Sequence, residues 1–318
     1  MGSGWQWAWA AGVVLLATGA EARADGPEEP KAVAMVTAPM MPMAGAGEGV
    51  AAAVELVRPA APEAEDPCTA AVVSQPARPM WTAGAQTTQC GVMENDLGWR
   101  SIGLGAGVHQ RGLTSTERYG ITRRLDLTWS TPLRMVQSGG GTKAVGGITD
   151  QSLSVMGEFR QQGRVVPAMA VSYGVTIPTA NPAKGFGTGY MDHALVLLAS
   201  RDVRQLHFDG NLAGALAGGP GGYDGAVQTG VVMTVPVRKN AGWLLETDGG
   251  SQPGTADRFG QALTGITWAV RPNLVVDTAY TRAYTAGAPR QQFTMGMTWA
   301  HRMGGLRAPG GVSRWLGR

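Results

Sequence analysis

The chain has 318 residues, 15% of them charged, with a net charge of +3, 48 glycines and 10 tryptophans. Charge is low for a soluble domain, where about a quarter of residues is usual, and glycine stands at about twice its average share. So small and scattered a positive balance excludes a nucleic-acid surface, and no apolar run reaches the roughly 18 residues that a helical membrane span requires.

Residues 1–24 read as an export signal. Ala8 to Ala20 is an apolar run too short to cross a bilayer as a helix, and Ala22-Arg23-Ala24 has the small-x-small form of a cleavage site. Residues 25–89 read as a periplasmic linker that is mostly disordered; Asp25 to about Asp66 is rich in Ala, Pro, Met and Glu without a sustained period. Met35, Met40, Met41 and Met43 fall in this stretch and are not read as a metal site. Two cysteines, Cys68 and Cys90, fit either a disulfide that closes a loop ahead of the next region or two unpaired thiols.

From Cys90 the pattern changes. Twelve short runs of alternating residues recur, at about 91–103, 106–119, 124–133, 151–161, 165–177, 190–199, 204–215, 224–236, 241–248, 258–270, 274–284 and 291–302. Connections alternate as well. Short turns at 121–123, 162–164, 201–203, 238–240 and 271–273 interleave with longer glycine-rich loops at 137–150, 179–189, 218–224 and 249–257. Segregation of loop length by side is the hairpin pattern of an outer-membrane barrel, with the short turns facing the periplasm. The expected fold is therefore an all-β antiparallel transmembrane barrel of about 12 strands over residues 90–303, with 304–318 as a C-terminal tail.

Side-chain direction flips at every residue of a strand. In the last run Phe293, Met295, Met297 and Trp299 share one face, opposite Gln292, Thr294 and Thr298. Leu125, Leu127 and Trp129 oppose Asp126 in the same way, and Leu274, Val276 and Tyr280 oppose Asp277. Charges fall on the less apolar face throughout. A soluble barrel would turn that face to water and bury the apolar one. In a membrane the apolar face meets lipid, and Trp129, Trp243, Trp268 and Trp299 on it would form an interfacial girdle. The expected lumen-facing set is Arg124, Asp126, Glu158, Arg160, His207, Asp209, Glu246 and Asp277. Two roles fit these charges: structural ion pairs that fill the lumen, or a polar constriction that selects what passes.

Four stretches resemble one family. Arg118-Tyr-Gly-Ile-Thr-Arg-Arg-Leu-Asp126 resembles its Thr-polar-Arg-Leu-Glu hairpin, with Asp126 in the Glu position. Ile148-Thr-Asp-Gln-Ser-Leu153 followed by Val166-Pro-Ala168 resembles its Gly-Asp and Pro-Ala strands. Thr176-Ile-Pro-Thr179 resembles a Leu-Pro-Thr-Gly strand end, with Ala180 in the Gly position, and Pro272-Asn-Leu-Val-Val-Asp277 resembles its penultimate strand. Over about residues 75–303 the order and spacing are similar to those of the outer-membrane barrel transporters associated with the meta pathway of phenol degradation. The resemblance implies a barrel of about twelve strands in the bacterial outer membrane, and a transport role.

The functional expectation is a passive, porin-like channel for small molecules, with hydrophobic or aromatic solutes implied by the resemblance alone. The alternative is a plugged barrel with a structural or binding role. A lipid-modifying enzyme is the remaining class. It would need a Ser-His pair with an orienting third group, and none of His109, His193, His207 and His301 has a serine partner that the sequence can place. No catalytic residue, metal or cofactor is expected. Expected partners are outer-membrane lipid, the barrel-insertion machinery and a small-molecule solute.

Overall fold

The computed structural model describes residues 68–303 together with two short strands, Trp5–Ala8 and Val14–Ala17, that pair antiparallel. Apart from those two strands, the expected export signal at 1–24, the first part of the linker at 25–67 and the tail at 304–318 lie outside the described residues.

The main sheet has 13 strands. Twelve form a closed ring: β1 Val92–Gly105, β2 Val108–Gly120, β3 Leu125–Gly139, β4 Gln151–Arg160, β5 Ala168–Ile177, β6 Asp192–Val203, β7 Leu206–Gly219, β8 Gly222–Arg238, β9 Ala241–Ser251, β10 Arg258–Arg271, β11 Leu274–Ala283 and β12 Gln291–Arg302. Each pairs antiparallel with its chain neighbours, and β12 closes on β1 from Gln291↔Gly103 to Arg302↔Val92. Closure gives every ring strand a partner on both sides, as a bilayer requires. The thirteenth strand, Thr142–Gly147, is a spur. β3 pairs with β4 only from Leu125 to Ser130, then runs on to Gly139 and turns back to pair with the spur. The stretch 137–150, expected as a glycine-rich loop, thus holds a second hairpin.

Burial is inverted relative to a soluble protein. Val155, Leu195, Leu212, Val227, Val231 and Ile266 stand exposed on the outer wall, while Glu94, Asp96, Asp126, Asp209, Glu246 and Asp277 are buried inside. Outward apolar side chains need a lipid solvent. Trp243, Trp268 and Trp299 are exposed on the outer wall beside the turns at 239–240 and 272–273, where an interfacial belt belongs. The longest connection, 178–191, lies at the opposite end, which is therefore the extracellular one.

Candidate functional site: a lumen holding an inserted loop

Residues 68–89 do not form a disordered linker. Cys68 and Cys90 are joined by a disulfide with Cα atoms 4.9 Å apart, so the segment between them is a covalently closed loop. It enters at the periplasmic rim, where Arg302 donates to the carbonyls of Cys68 and Ala70 and Ser74 N donates to Pro272 O at 2.8 Å. It then crosses the lumen and leaves at β2, where Gly91 N donates to Gly120 O at 2.7 Å.

The loop has no strand partner, so its backbone donors must be met by wall side chains. Gln75 N donates to Glu94 on β1. Trp81 N and Thr82 N donate to the two carboxylate oxygens of Glu246 on β9, at 3.1 and 2.6 Å. Ala85 N donates to Ser200 Oγ on β6 at 2.7 Å, and that hydroxyl donates to Asp209 on β7. Thr88 N donates to Asp126 on β3 at 2.9 Å. The acceptors thus come from four wall strands and are mostly carboxylates, whose bonds to N–H groups are stronger than neutral ones.

Arg78 is the loop's charged anchor. Its Nε lies 3.5 Å from Asp277 and its Nη2 donates to Thr294 Oγ1 at 2.7 Å. The guanidinium occupies a slot opposite two glycines. A Cβ on Gly98 of β1 would overlap it, and one on Gly296 of β12 would lie 2.6 Å from its Nε. Gly230 on β8 likewise makes room for Trp81, whose ring would come within 2.8 Å of an added Cβ. Apolar contacts are modest: Ala83 and Ala85 rest against Ala168, Ala170 and Leu198, and Met80 against Leu244, Leu263 and Ala279.

Of the residues expected in the lumen, Asp126, Glu158, Asp209, Glu246 and Asp277 are buried there. His207 is half-buried at the periplasmic mouth, its Nδ1 2.6 Å from Asp202 and its Nε2 3.0 Å from Asp209. Two assignments are corrected. Arg124 is exposed in the turn before β3, where its carbonyl accepts from Glu158 N at 2.8 Å. Arg160 is exposed as well, because a register shift between Glu158 and Arg160 breaks the alternation that would have turned it inward.

The same alternation turns a further set of charges into the lumen, beyond those expected. Glu94, Asp96 and Arg100 are buried on β1 between outward Met93, Leu97 and Trp99, and Arg118 on β2 pairs with Glu94 and lies 3.9 Å from Asp96. A further buried carboxylate, Asp248, accepts from Gln228 and Gln261.

Beside the loop remains a cavity of about 440 Å³. Hydroxyls of Thr116, Thr128, Ser130, Ser154 and Ser172 line it together with Met80, Met156, Val196, Leu198 and Leu244.

No family model and no curated protein matches this sequence. Among solved structures, the COG4313 outer membrane channel from Pseudomonas putida F1 aligns over 68% of this chain and 98% of its own, with a TM-score of 0.55 at 12% identity. The NanC porin aligns over 65% of this chain and 98% of its own, with a TM-score of 0.46 at 10% identity. The chain thus has the fold of an outer-membrane β-barrel, with an apolar outer wall and its own disulfide-bound loop inside the lumen.

Proposed function

We propose that the protein is a passive outer-membrane channel for small solutes, held shut at rest by the Cys68–Cys90 loop. One observation carries this reading. The loop is seated by polar bonds to wall side chains and by few apolar contacts, so it can leave its seat while the wall's own hydrogen-bond ladder stays intact. A permanent core would be packed to exclude space, yet a cavity of about 440 Å³ lies beside the loop.

The solute class we propose is small hydrophobic or aromatic molecules bearing a polar group. Support comes from the pairing of hydroxyls with Met80, Met156, Val196, Leu198 and Leu244 in one cavity, and from the resemblance to transport barrels. A non-catalytic role fits the histidines. His109 is exposed on the outer wall, His193 lies between Tyr173 and Tyr223, His301 stacks on Trp299, and His207 is held by two carboxylates.

The inserted loop also favours a second reading, a permanently closed barrel with a structural or binding role. Planar-bilayer conductance and liposome swelling separate the two. Wild-type protein is expected to give small or rare steps, and Arg78→Ala combined with Glu246→Ala to give larger, longer openings. If the double variant folds, shows a heat-dependent mobility shift on a gel and still passes neither ions nor solutes, the channel reading fails.

A further inference from the structure

The outer wall carries few charged side chains, and two of them, Arg111 and Arg134, stand side by side on β2 and β3. On β2 the outward row is His109, Arg111, Leu113, Ser115, Glu117 and Tyr119, alternating with buried Gln110, Gly112 and Gly120. On β3 a register shift opposite Leu113 and Thr114 turns both Leu133 and Arg134 outward, and both are exposed. Leu113 pairs with Arg134 and Arg111 with Val136, so Arg111 and Arg134 are diagonal neighbours on one face. Such diagonals are roughly 7–8 Å apart at the backbone, within reach of long side chains. His109 continues the row toward the extracellular turn at 106–107.

No carboxylate answers the two guanidinium groups. Neither Arg111 nor Arg134, nor His109 beside them, takes part in an ion pair among the described residues. The one carboxylate on the same outward row, Glu117, is hydrogen-bonded by Ser115 and lies six positions further along β2, about 20 Å away at strand rise. Beside the guanidinium groups and toward the periplasm, Leu97, Leu113, Leu133 and Trp129 are exposed, interrupted on β2 by Ser115 and Glu117. Two unpaired guanidinium groups on a lipid-facing wall, beside these apolar side chains, match an amphiphile whose head carries phosphate and whose chains run down the barrel. Guanidinium binds phosphate bidentately, and an anionic leaflet draws basic side chains.

We propose that Arg111 and Arg134, with His109 beside them, form a docking site for a phosphorylated lipid headgroup of the outer leaflet, its acyl chains lying over Leu113 and Leu133. The site is on the outside of the barrel and independent of whether the lumen conducts.

Native mass spectrometry of the detergent-solubilised full chain tests this, with bis-phosphorylated lipid A as probe and its dephosphorylated form as comparison. Wild-type protein is expected to retain the phosphorylated lipid about tenfold more strongly than the dephosphorylated one. Arg111→Gln with Arg134→Gln is expected to remove that preference, while Glu117→Gln leaves it intact, each variant first passing the heat-mobility check for a folded barrel. Equal retention of the two lipids by wild-type protein overturns the proposal without any variant. Unchanged retention in the double variant overturns it too, as does displacement of the lipid by an equal concentration of inorganic phosphate.

Discussion

The barrel wall and the loop inside it share one covalent chain but are held by different forces. Each wall strand is fixed on both edges by backbone ladders that continue around the ring, and on its outer face by transfer of apolar side chains into lipid. The loop has no ladder. Its amides end on Glu94, Glu246, Ser200 and Asp126, and its one cation on Asp277. Substitutions in the wall should therefore act on folding, and substitutions at the loop's seat on permeation.

The largest effect is expected from the wall. Leu212 stands on the outer face of β7 with 48% of its surface exposed, so Leu212→Arg sets a charge against hydrocarbon at a cost of about 2–4 kcal/mol near the bilayer midplane. Urea titration of folding into vesicles should show that loss, with unitary conductance unchanged in the fraction that folds. A conductance change without a folding change would break the comparison.

Next comes the disulfide. Replacing Cys68 and Cys90 by Ala frees the entry of the loop from its exit and returns roughly 3 kcal/mol of chain entropy to the unseated state. Open probability should rise while the heat-induced mobility shift of the barrel stays in place. An unchanged open probability would mean that the side-chain seat alone holds the loop.

Glu246→Ala is expected to act in the same direction with a smaller size. It leaves the buried amides of Trp81 and Thr82 without acceptors, at a cost of about 1–3 kcal/mol. Glu246→Gln keeps one carbonyl acceptor and should fall between the variant and wild type. Protease accessibility of the loop from the periplasmic side reads out both. Equal protection in all three proteins would show that Glu246 is not part of the seat.

The same division explains what the sequence disclosed. A wall strand must alternate, since one face meets lipid and the other the lumen. Asp126, Asp209, Glu246 and Asp277 could therefore be placed inward from their neighbours alone. Arg160 was misplaced because a bulge costs the alternation one residue and leaves no mark in the sequence. Arg124 was misplaced because strand periodicity was carried into a turn. The cysteine pair allows a closed loop but does not show its course through the lumen. A segment whose amides are met by side chains from four other strands needs no period of its own, and Ser74 to Gln89 has none. Gly98, Gly230 and Gly296 are traces of that course, because inward glycines in strands mark close approach of another group.

The smallest expected effect lies outside both regions, at the extracellular rim, and shows whether carboxylate-to-amide seating is a general device of this chain. Asp150, ahead of β4, accepts from Ala180 N at 2.8 Å and so ties down the 178–191 connection, whose Phe186 packs on Met135 and Ala180. Burial raises the Asp150 carboxyl above its ordinary value of 3.8, against the pull of backbone N–H groups at Ala180, Thr188 and Thr179, and the neighbouring Asp192 adds no compensating positive charge. A raised folded-state value means that the protonated form is favoured in the folded state. The contribution is therefore fully present below the ordinary value and is lost as pH rises through the raised one. Asp150→Asn fixes the neutral form and should flatten this dependence. Between about pH 4 and 8 the wild-type melting temperature should fall relative to that of the variant by a few degrees at most. Parallel curves would show that Asp150 holds its connection equally well charged or neutral, unlike a group whose burial outweighs its hydrogen bonds.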